Sequence, residues 1–163
     1  MRTLDFTGLN ENKVNNVVKG LAQLLADFQV YYTNLRGLHW NIKGRSFFVM
    51  HAKYEEMYDD AAEKVDEIAE RLLQLGAVPE SKFSEYLKVA NVKEAGLVEC
   101  GREAMDNVLG TLRQLISQER EVLKAASEAN DEVTVALMSD YLKGQEKLVW
   151  MLVAFSTKRQ HGE

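Results

Sequence analysis

Four long stretches of this chain carry apolar residues at the spacing of an α-helix, and this periodicity constrains the fold more than any other feature. In the first stretch, apolar residues recur three and four positions apart, as on one face of a helix. They are Val14, Val17, Leu21, Leu24, Leu25, Phe28, Tyr32 and Leu35. The pattern weakens at Gly37, and a polar connection follows over residues 41–46.

The second stretch predicts a helix from about Phe47 to Leu75. Gly76 and Pro79 follow it, and a glycine just after a helix with a proline beyond is a typical stop signal. The link to the third helix is long and contains a short amphipathic segment, 83–89. The inward stripe of the second helix consists of Phe47, Met50, Tyr54, Met57, Ala61, Val65, Ile68, Leu72 and Leu75.

The third and fourth stretches predict helices from about Arg102 to Ala126 and from about Glu132 to Ser156, with Asn130 or Asp131 able to cap the last one. The predicted inward residues are Met105, Leu109, Leu112, Ile116 and Leu123, then Leu137, Tyr141, Leu148, Leu152 and Phe155. Four such helices favour an all-α, four-helix bundle. The long link favours one crossover connection carrying a short extra helix over simple up-down topology.

Composition sets further limits on what the chain is. One proline in 163 residues disfavours a turn-rich sandwich or barrel. Cys100 is the single cysteine, so no internal disulfide can form. We expect one domain over 1–163 with short N- and C-terminal tails. No signal peptide and no run of ~20 apolar residues is visible, so we expect a cytoplasmic protein without membrane contact.

The second helix carries a second, polar stripe, away from its apolar one. At ~100° per residue, four potential metal ligands fall within an arc of about 100°. They are His51, Glu55, Asp66 and Glu70. A solvated polar face would be the ordinary interpretation. However, small and apolar residues share the stripe and suit close packing of another helix, where charges need a partner or a metal. These are Ala62, Ala69 and Leu73.

One copy of the second helix cannot bring these ligands together. Asp66 and Glu70 lie one turn apart and suit one ion, but His51 precedes Asp66 by about 20 Å along the helix axis. A two-fold axis near Asp60 would bring an antiparallel copy's Asp66 end to the His51 end, and would create two equivalent sites. Imidazole and carboxylate ligands favour iron or another first-row metal, and a catalytic zinc remains open.

Beyond these separate features, the sequence resembles the Dps family (DNA-binding protein from starved cells) over nearly its whole length. The pattern is a histidine, a second histidine twelve residues later, an acid four residues on, and then Asp and Glu four apart. The matching positions are Leu38-His39-Trp40-Asn41, Gly44, Phe47-Phe48, His51, Glu55, Tyr58, Asp66-Glu67, Ala69-Glu70-Arg71, Gly76, Val149-Trp150-Met151 and Ala154-Phe155.

The resemblance implies a ferritin-like fold and a dodecameric shell built from two-fold dimers. It implies a ferroxidase that oxidises Fe(II), with hydrogen peroxide preferred over O₂, stores ferric mineral and protects against oxidative stress. The ligands implied are His39 and His51 from one subunit with Asp66 and Glu70 from the other, giving two iron sites per dimer interface. Glu55 stands where the family often has Asp and is a further candidate ligand.

The resemblance also assigns residues outside the ligand set. Trp40 matches a tryptophan beside the family's site, where it can act as an electron donor or as a packing aromatic. Asp131 and Glu132 fall where the family has acidic entry pores, although acids are also favoured at a helix N-terminus by the dipole.

Three other interpretations compete with this one. A maxi-ferritin or bacterioferritin would need Glu-x-x-His motifs, which the sequence lacks. A nucleoid-binding structural protein with little ferroxidase activity would need a basic arm. The net charge is −5 and Lys158 and Arg159 make no polybasic tail, so we expect weak or absent DNA binding. A helical interaction protein without metal would leave the ligand pattern as coincidence.

Overall fold

The computed structural model describes residues 2–157, and this part of the chain is helical with no β-strand. The six helices are α1 (Leu4–Thr7), α2 (Glu11–Asn41), α3 (Phe47–Gln74), α4 (Phe83–Val89), α5 (Gly101–Ala129) and α6 (Glu132–Ser156). The predicted all-α, ferritin-like bundle with a short extra helix in the crossover is therefore confirmed. His161, Lys158 and Arg159 lie outside the described residues. Within that range, each helix is too short or too polar to cross a membrane.

Contacts between helix ends define the topology of the four long helices. The backbone N–H of Lys43, just after α2, donates to the carbonyl of Glu99, just before α5 (3.0 Å). These two helices therefore run antiparallel. Tyr141 on α6 donates to Glu67 on α3 (2.7 Å), and the start of α6 meets the end of α3 at Arg71. Helices α3 and α6 are therefore antiparallel as well.

The crossover between α3 and α5 runs along α2 for most of the bundle's length. Two buried polar residues of α2 hold it there. Asp27 accepts a hydrogen bond from the backbone N–H of Val92 (2.7 Å). Asn34 donates to the carbonyl of Lys93 (2.8 Å) and accepts from the N–H of Ala95 (2.9 Å). Buried backbone N–H and C=O groups need hydrogen-bond partners. This part of the crossover has no regular secondary structure, so the side chains of Asp27 and Asn34 supply those partners.

Helix α2 is longer than the periodicity predicts, and it continues through Gly37. Glycine costs about 1 kcal/mol inside a helix relative to alanine. Here the neighbouring Leu35 and Leu38 are fully buried and hold the backbone helical. His39 and Trp40 therefore lie on the last turn of a helix rather than in a loop.

The predicted helix ends agree with the structure in most places. Gly76 has φ 81° just past the end of α3, as its stop signal predicts. Asn130 adopts φ 56° and ends α5, which leaves Asp131 as the N-cap of α6. One inward assignment is wrong. Phe155 is half exposed in the last turn of α6, where it lines an open groove between α3 and α6.

Candidate metal centre

Two histidines meet where the chain reverses direction between α2 and α3. His39 lies in the last turn of α2, and His51 lies in the second turn of α3. The Nδ1 atom of each ring lies 2.8 Å from the backbone carbonyl oxygen of the other residue. The rings stack with centroids 3.7 Å apart and planes inclined by 20°. Each imidazole is therefore oriented by the backbone of the other histidine.

This reciprocal bonding fixes the tautomer of both rings. A carbonyl oxygen can only accept a hydrogen bond, so each Nδ1 must carry the proton and donate it. Each Nε2 atom then keeps its lone pair free, which is the state in which histidine binds a metal. Ligating histidines in metalloproteins are commonly oriented by such a bond from the other ring nitrogen. The pair is thus oriented to offer two Nε2 ligands.

Aromatic rings enclose the pair on both sides. Phe47 stacks against His51 at 5.0 Å between centroids, and the edge of Tyr58 meets the His39 ring at 5.4 Å and 88°. Partial burial raises the pKa of Tyr58, and the nearby carboxylate of Glu55 raises it further. Rotation of either imidazole would have to displace one of these rings. In the sequence, Phe47 precedes His51 by four residues and Tyr58 follows it by seven. These are helical spacings, which could have indicated that both rings lie on the same side of α3 as His51.

Trp40 is adjacent in sequence but lies outside the subunit's core. Its side chain is 62% exposed. The guanidinium of Arg36 lies 4.8 Å from its ring centre and 5.5 Å from that of Tyr32, so a cation–π stack holds the indole. Within the subunit, the indole is thus held on one face by Arg36 while most of its surface remains exposed.

The predicted carboxylate ligands on α3 are exposed along one side of the helix. Glu55, Asp66 and Glu70 are all exposed, and none of them forms an ion pair with another residue in 2–157. Glu67, next to Asp66, points to the opposite side and accepts a hydrogen bond from Tyr141. The structure thus separates inward from outward carboxylates.

A single chain does not gather the candidate ligands into one site. Over residues 2–157, no three His, Cys, Asp or Glu side chains are placed to hold a metal ion together. The structure brings His39 and His51 together at one end of α3, and it leaves Asp66 and Glu70 near the other end.

Asp131 lies buried within the subunit at the start of α6. It is 1% exposed, and its carboxylate accepts hydrogen bonds from the backbone N–H of Thr134 (3.0 Å) and from its hydroxyl (2.6 Å). It also pairs with Arg71 at 2.6 Å, and Arg71 donates to the Thr134 hydroxyl. Within the subunit, Asp131 caps α6 and anchors it to α3, and its pore role stays a prediction. Glu132 is exposed.

Comparison with known proteins gives a consistent match. The ferritin-like domain family matches residues 18–160. A DNA protection during starvation protein from Porphyromonas gingivalis is 59% identical over 96% of this chain and 99% of its own length.

Two solved structures are similar over most of the chain. The crystal structure of a DPS protein from Vibrio cholerae O1, described as a member of a superfamily of ferritin-like diiron-carboxylate proteins, matches with a TM-score of 0.91 and 47% identity. The match covers 93% of this chain and 96% of that one. A Dps protein from Bacillus brevis matches with a TM-score of 0.86 and 34% identity, over 90% of this chain and 98% of that one. Together with the paired histidines and outward acids of α3, these matches show that the chain belongs to the Dps family of ferritin-like proteins.

Proposed function

We propose that this protein is a mini-ferritin, which binds Fe(II), oxidises it at sites shared between two subunits and stores ferric mineral in a hollow homo-oligomeric shell. One observation carries the proposal. His39 and His51, whose rings are already oriented, meet at the N-terminal end of α3. Asp66 and Glu70, which form no ion pair within residues 2–157, lie near its C-terminal end.

A two-fold dimer would complete both half-sites at once. The two ends of α3 are more than about 20 Å apart along the axis, whereas a ligand bond is about 2.1 Å. The outward side of α3 between them carries Ala62, Ala69 and the exposed Leu73, which suit close contact with a second helix. An antiparallel copy of α3 about an axis near Asp60 would bring His39 and His51 to the other subunit's Asp66 and Glu70. Each dimer interface would then hold two equivalent sites.

The donor set suits iron as substrate. Two neutral imidazole nitrogens bind Fe(II), and carboxylate oxygens accommodate the charge gained on oxidation to Fe(III). Hydrogen peroxide accepts two electrons and its O–O bond breaks to give two hydroxide ions, so two Fe(II) ions each supply one electron. We propose peroxide as the preferred oxidant over O₂. This stoichiometry consumes Fe(II) and peroxide together and withholds both from reactions that form hydroxyl radicals.

Two residues near the histidines extend the proposed site. Glu55 is exposed one turn after His51 and would ligate a second iron directly or through a water. Trp40 presents its ring at the surface beside the pair, where it would form a wall of the shared site or donate an electron.

The assembly and its surroundings follow from the family. We propose a dodecamer of two-fold dimers in the cytoplasm. The exposed Glu132 would contribute negative charge to an entry pore for Fe(II). Glu132→Gln should then slow iron uptake at low ionic strength without changing the rate at saturating iron.

Protection of DNA, which the name of the Porphyromonas gingivalis relative states, would act through iron removal more than through direct binding. Arg2 is the cation closest to the N-terminus, and it is paired with Asp5 (3.2 Å) and Glu11 (2.7 Å). With a net charge of −5, the shell would repel a polyanion. A tight, metal-independent complex in a gel shift at physiological salt would contradict this.

The direct test is Fe(II) oxidation by the sized assembly, followed by ferric absorbance after stoichiometric peroxide or air. The variant H51A/D66A should lose at least about 100-fold in initial rate, beyond the 10–100-fold typical of outer-shell changes. E56A is the matched control, because Glu56 is an exposed acid of α3 on another side of the helix and pairs with Lys53. Equal, slow oxidation by wild type and H51A/D66A would overturn the proposal and favour a structural, nucleoid-binding role.

A further inference from the structure

A carboxylic acid and an amide face each other in the centre of the bundle. Glu119 on α5 is fully buried, and Gln145 on α6 is 4% exposed. The side-chain N–H of Gln145 donates a hydrogen bond to Oε1 of Glu119. This is a cross-helix contact between the two helices that form the second half of the bundle. It plays no part in the proposed iron site.

The two remaining oxygens of this pair have no partner when Glu119 is ionised. Oε2 of Glu119 and Oε1 of Gln145 are both buried, and neither has a hydrogen-bond partner among residues 2–157. Both are pure acceptors in that state, so neither can satisfy the other. A buried polar atom without a partner is costly and rare in native proteins. Here the two atoms belong to residues that one hydrogen bond already joins. A single proton placed between the two oxygens would give both of them a partner.

We propose that Glu119 is protonated at neutral pH and forms a two-bond acid–amide ring with Gln145, which acts as a pH-sensitive lock between α5 and α6. The acid O–H at Oε2 donates to Oε1 of Gln145, while the Gln145 N–H donates to Oε1 of Glu119. One proton satisfies both orphaned oxygens. Loss of that proton replaces a hydrogen bond with two acceptors facing each other.

The surrounding charges compensate an ionised Glu119 only in part. Lys64 on α3 and Arg120 on α5 favour the ionised form, but Lys64 pairs with Asp60, and Arg120 pairs with Glu146 at the surface. On α6, the hydroxyl of Tyr141 donates to Glu67. On α2, Tyr31 is buried and the Asp27 carboxylate accepts a hydrogen bond from Gln118.

The effect of pH on stability follows from the difference in proton binding between the folded and the unfolded chain. Burial raises the pKa of the Glu119 carboxyl to about 8, from an ordinary value of 4.5. Between these values the folded chain holds one proton more than the unfolded chain. Stability from this pair is therefore full below pH 4.5 and falls as pH rises towards about 8. Across that window the unfolding equilibrium constant should rise by up to about tenfold per pH unit.

Infrared spectroscopy of the intact assembly tests the lock directly, through the carbonyl stretch of a protonated carboxylic acid. Wild type should show this band at pH 7 and lose it as pH is raised through about 8. E119Q keeps both hydrogen bonds as an amide pair but cannot ionise, so it should lack the band at pH 7, where exposed carboxyl groups are ionised. E121Q, which changes an exposed acid two residues away, should titrate like wild type.

A second variant keeps the test decisive if E119Q does not fold. Q145M removes both hydrogen bonds of the ring at similar volume, so the acid band should move to higher frequency, as expected of a carboxylic acid that has lost its hydrogen-bond partners. A neutral-pH spectrum of wild type without an acid band would overturn the proposal. So would a neutral-pH acid band that E119Q retains, or one that Q145M leaves unmoved.

Discussion

The two ends of α3 carry the same kind of residue, potential metal ligands, in opposite states of organisation. At the N-terminal end, His39 and His51 are fixed by reciprocal hydrogen bonds and by stacking rings. At the C-terminal end, Asp66 and Glu70 are exposed and form no ion pair within residues 2–157. The difference indicates which part of the proposed site the subunit builds alone and which part would need a second chain.

The acidic end is nevertheless held in place, though through its other side. Arg71 follows Glu70 directly and forms a buried ion pair with Asp131. The helix backbone is thereby fixed at this end while the carboxylates on the outward side remain free. At the acidic end the fold therefore fixes the helix backbone, whereas at the histidine end it also fixes the side chains.

Removing the anchor of the acidic end should have the largest effect on stability. D131A leaves Arg71 buried without its partner, and breaking a buried pair in this way costs about 3–5 kcal/mol. Chemical denaturation at fixed protein concentration measures the change. E132A alters an adjacent, exposed acid and should stay within about 0.5 kcal/mol. Equal, small losses in both variants would show that the buried pair does not anchor α6 to α3.

The difference between the two ends of α3 should also appear in the stability of the metal-free protein. H39A removes a nearly buried ring and leaves the backbone carbonyl of His51 without its hydrogen-bond donor, at a cost of about 1–3 kcal/mol. D66A removes a side chain without partners and should change stability by no more than about 0.5 kcal/mol. Thermal unfolding of the metal-free assemblies compares them. A loss for D66A as large as that for H39A would show that the acidic end is organised within the subunit.

Removing an aromatic ring that contacts the histidines should have a smaller effect, on metal affinity. Y58L removes the aromatic edge that contacts His39 and should weaken metal affinity by about tenfold, at the low end of outer-shell effects. Y58F keeps the ring and should stay within about twofold. Titration with Co(II), followed by its visible absorption, measures both. Equal affinities for Y58L and wild type would show that the backbone bonds alone orient the pair.

The sequence predicts the parts of this architecture that depend on periodic spacing. The helix ends at Gly76 and Asp131, the short helix 83–89 and the separation of His51 from Asp66 all follow from residue type and rise per residue. The extension of α2 through Gly37 does not, because tertiary packing of Leu35 and Leu38 overrides a weak local preference.

Buried polar contacts are the features that spacing alone could not assign. Asp131 looks like an exposed helix cap until Arg71, 60 positions away, is seen to pair with it. Glu119 falls on the inward stripe between Ile116 and Leu123, which signals burial but not the partner on another helix. The reciprocal bonds of His39 and His51 involve backbone carbonyls, and no residue pattern encodes those.

Subunit mixing tests the shared site most directly. H51A and D66A assemblies should each be inactive in Fe(II) oxidation. When the two chains are co-expressed in equal amounts, about half of the two-fold interfaces join unlike subunits, and one of the two sites in each is intact. Mixed assemblies should therefore recover about one quarter of the wild-type initial rate. If the mixed assemblies are as inactive as their parents, the histidines and carboxylates do not meet across subunits, and the proposed shared site is wrong.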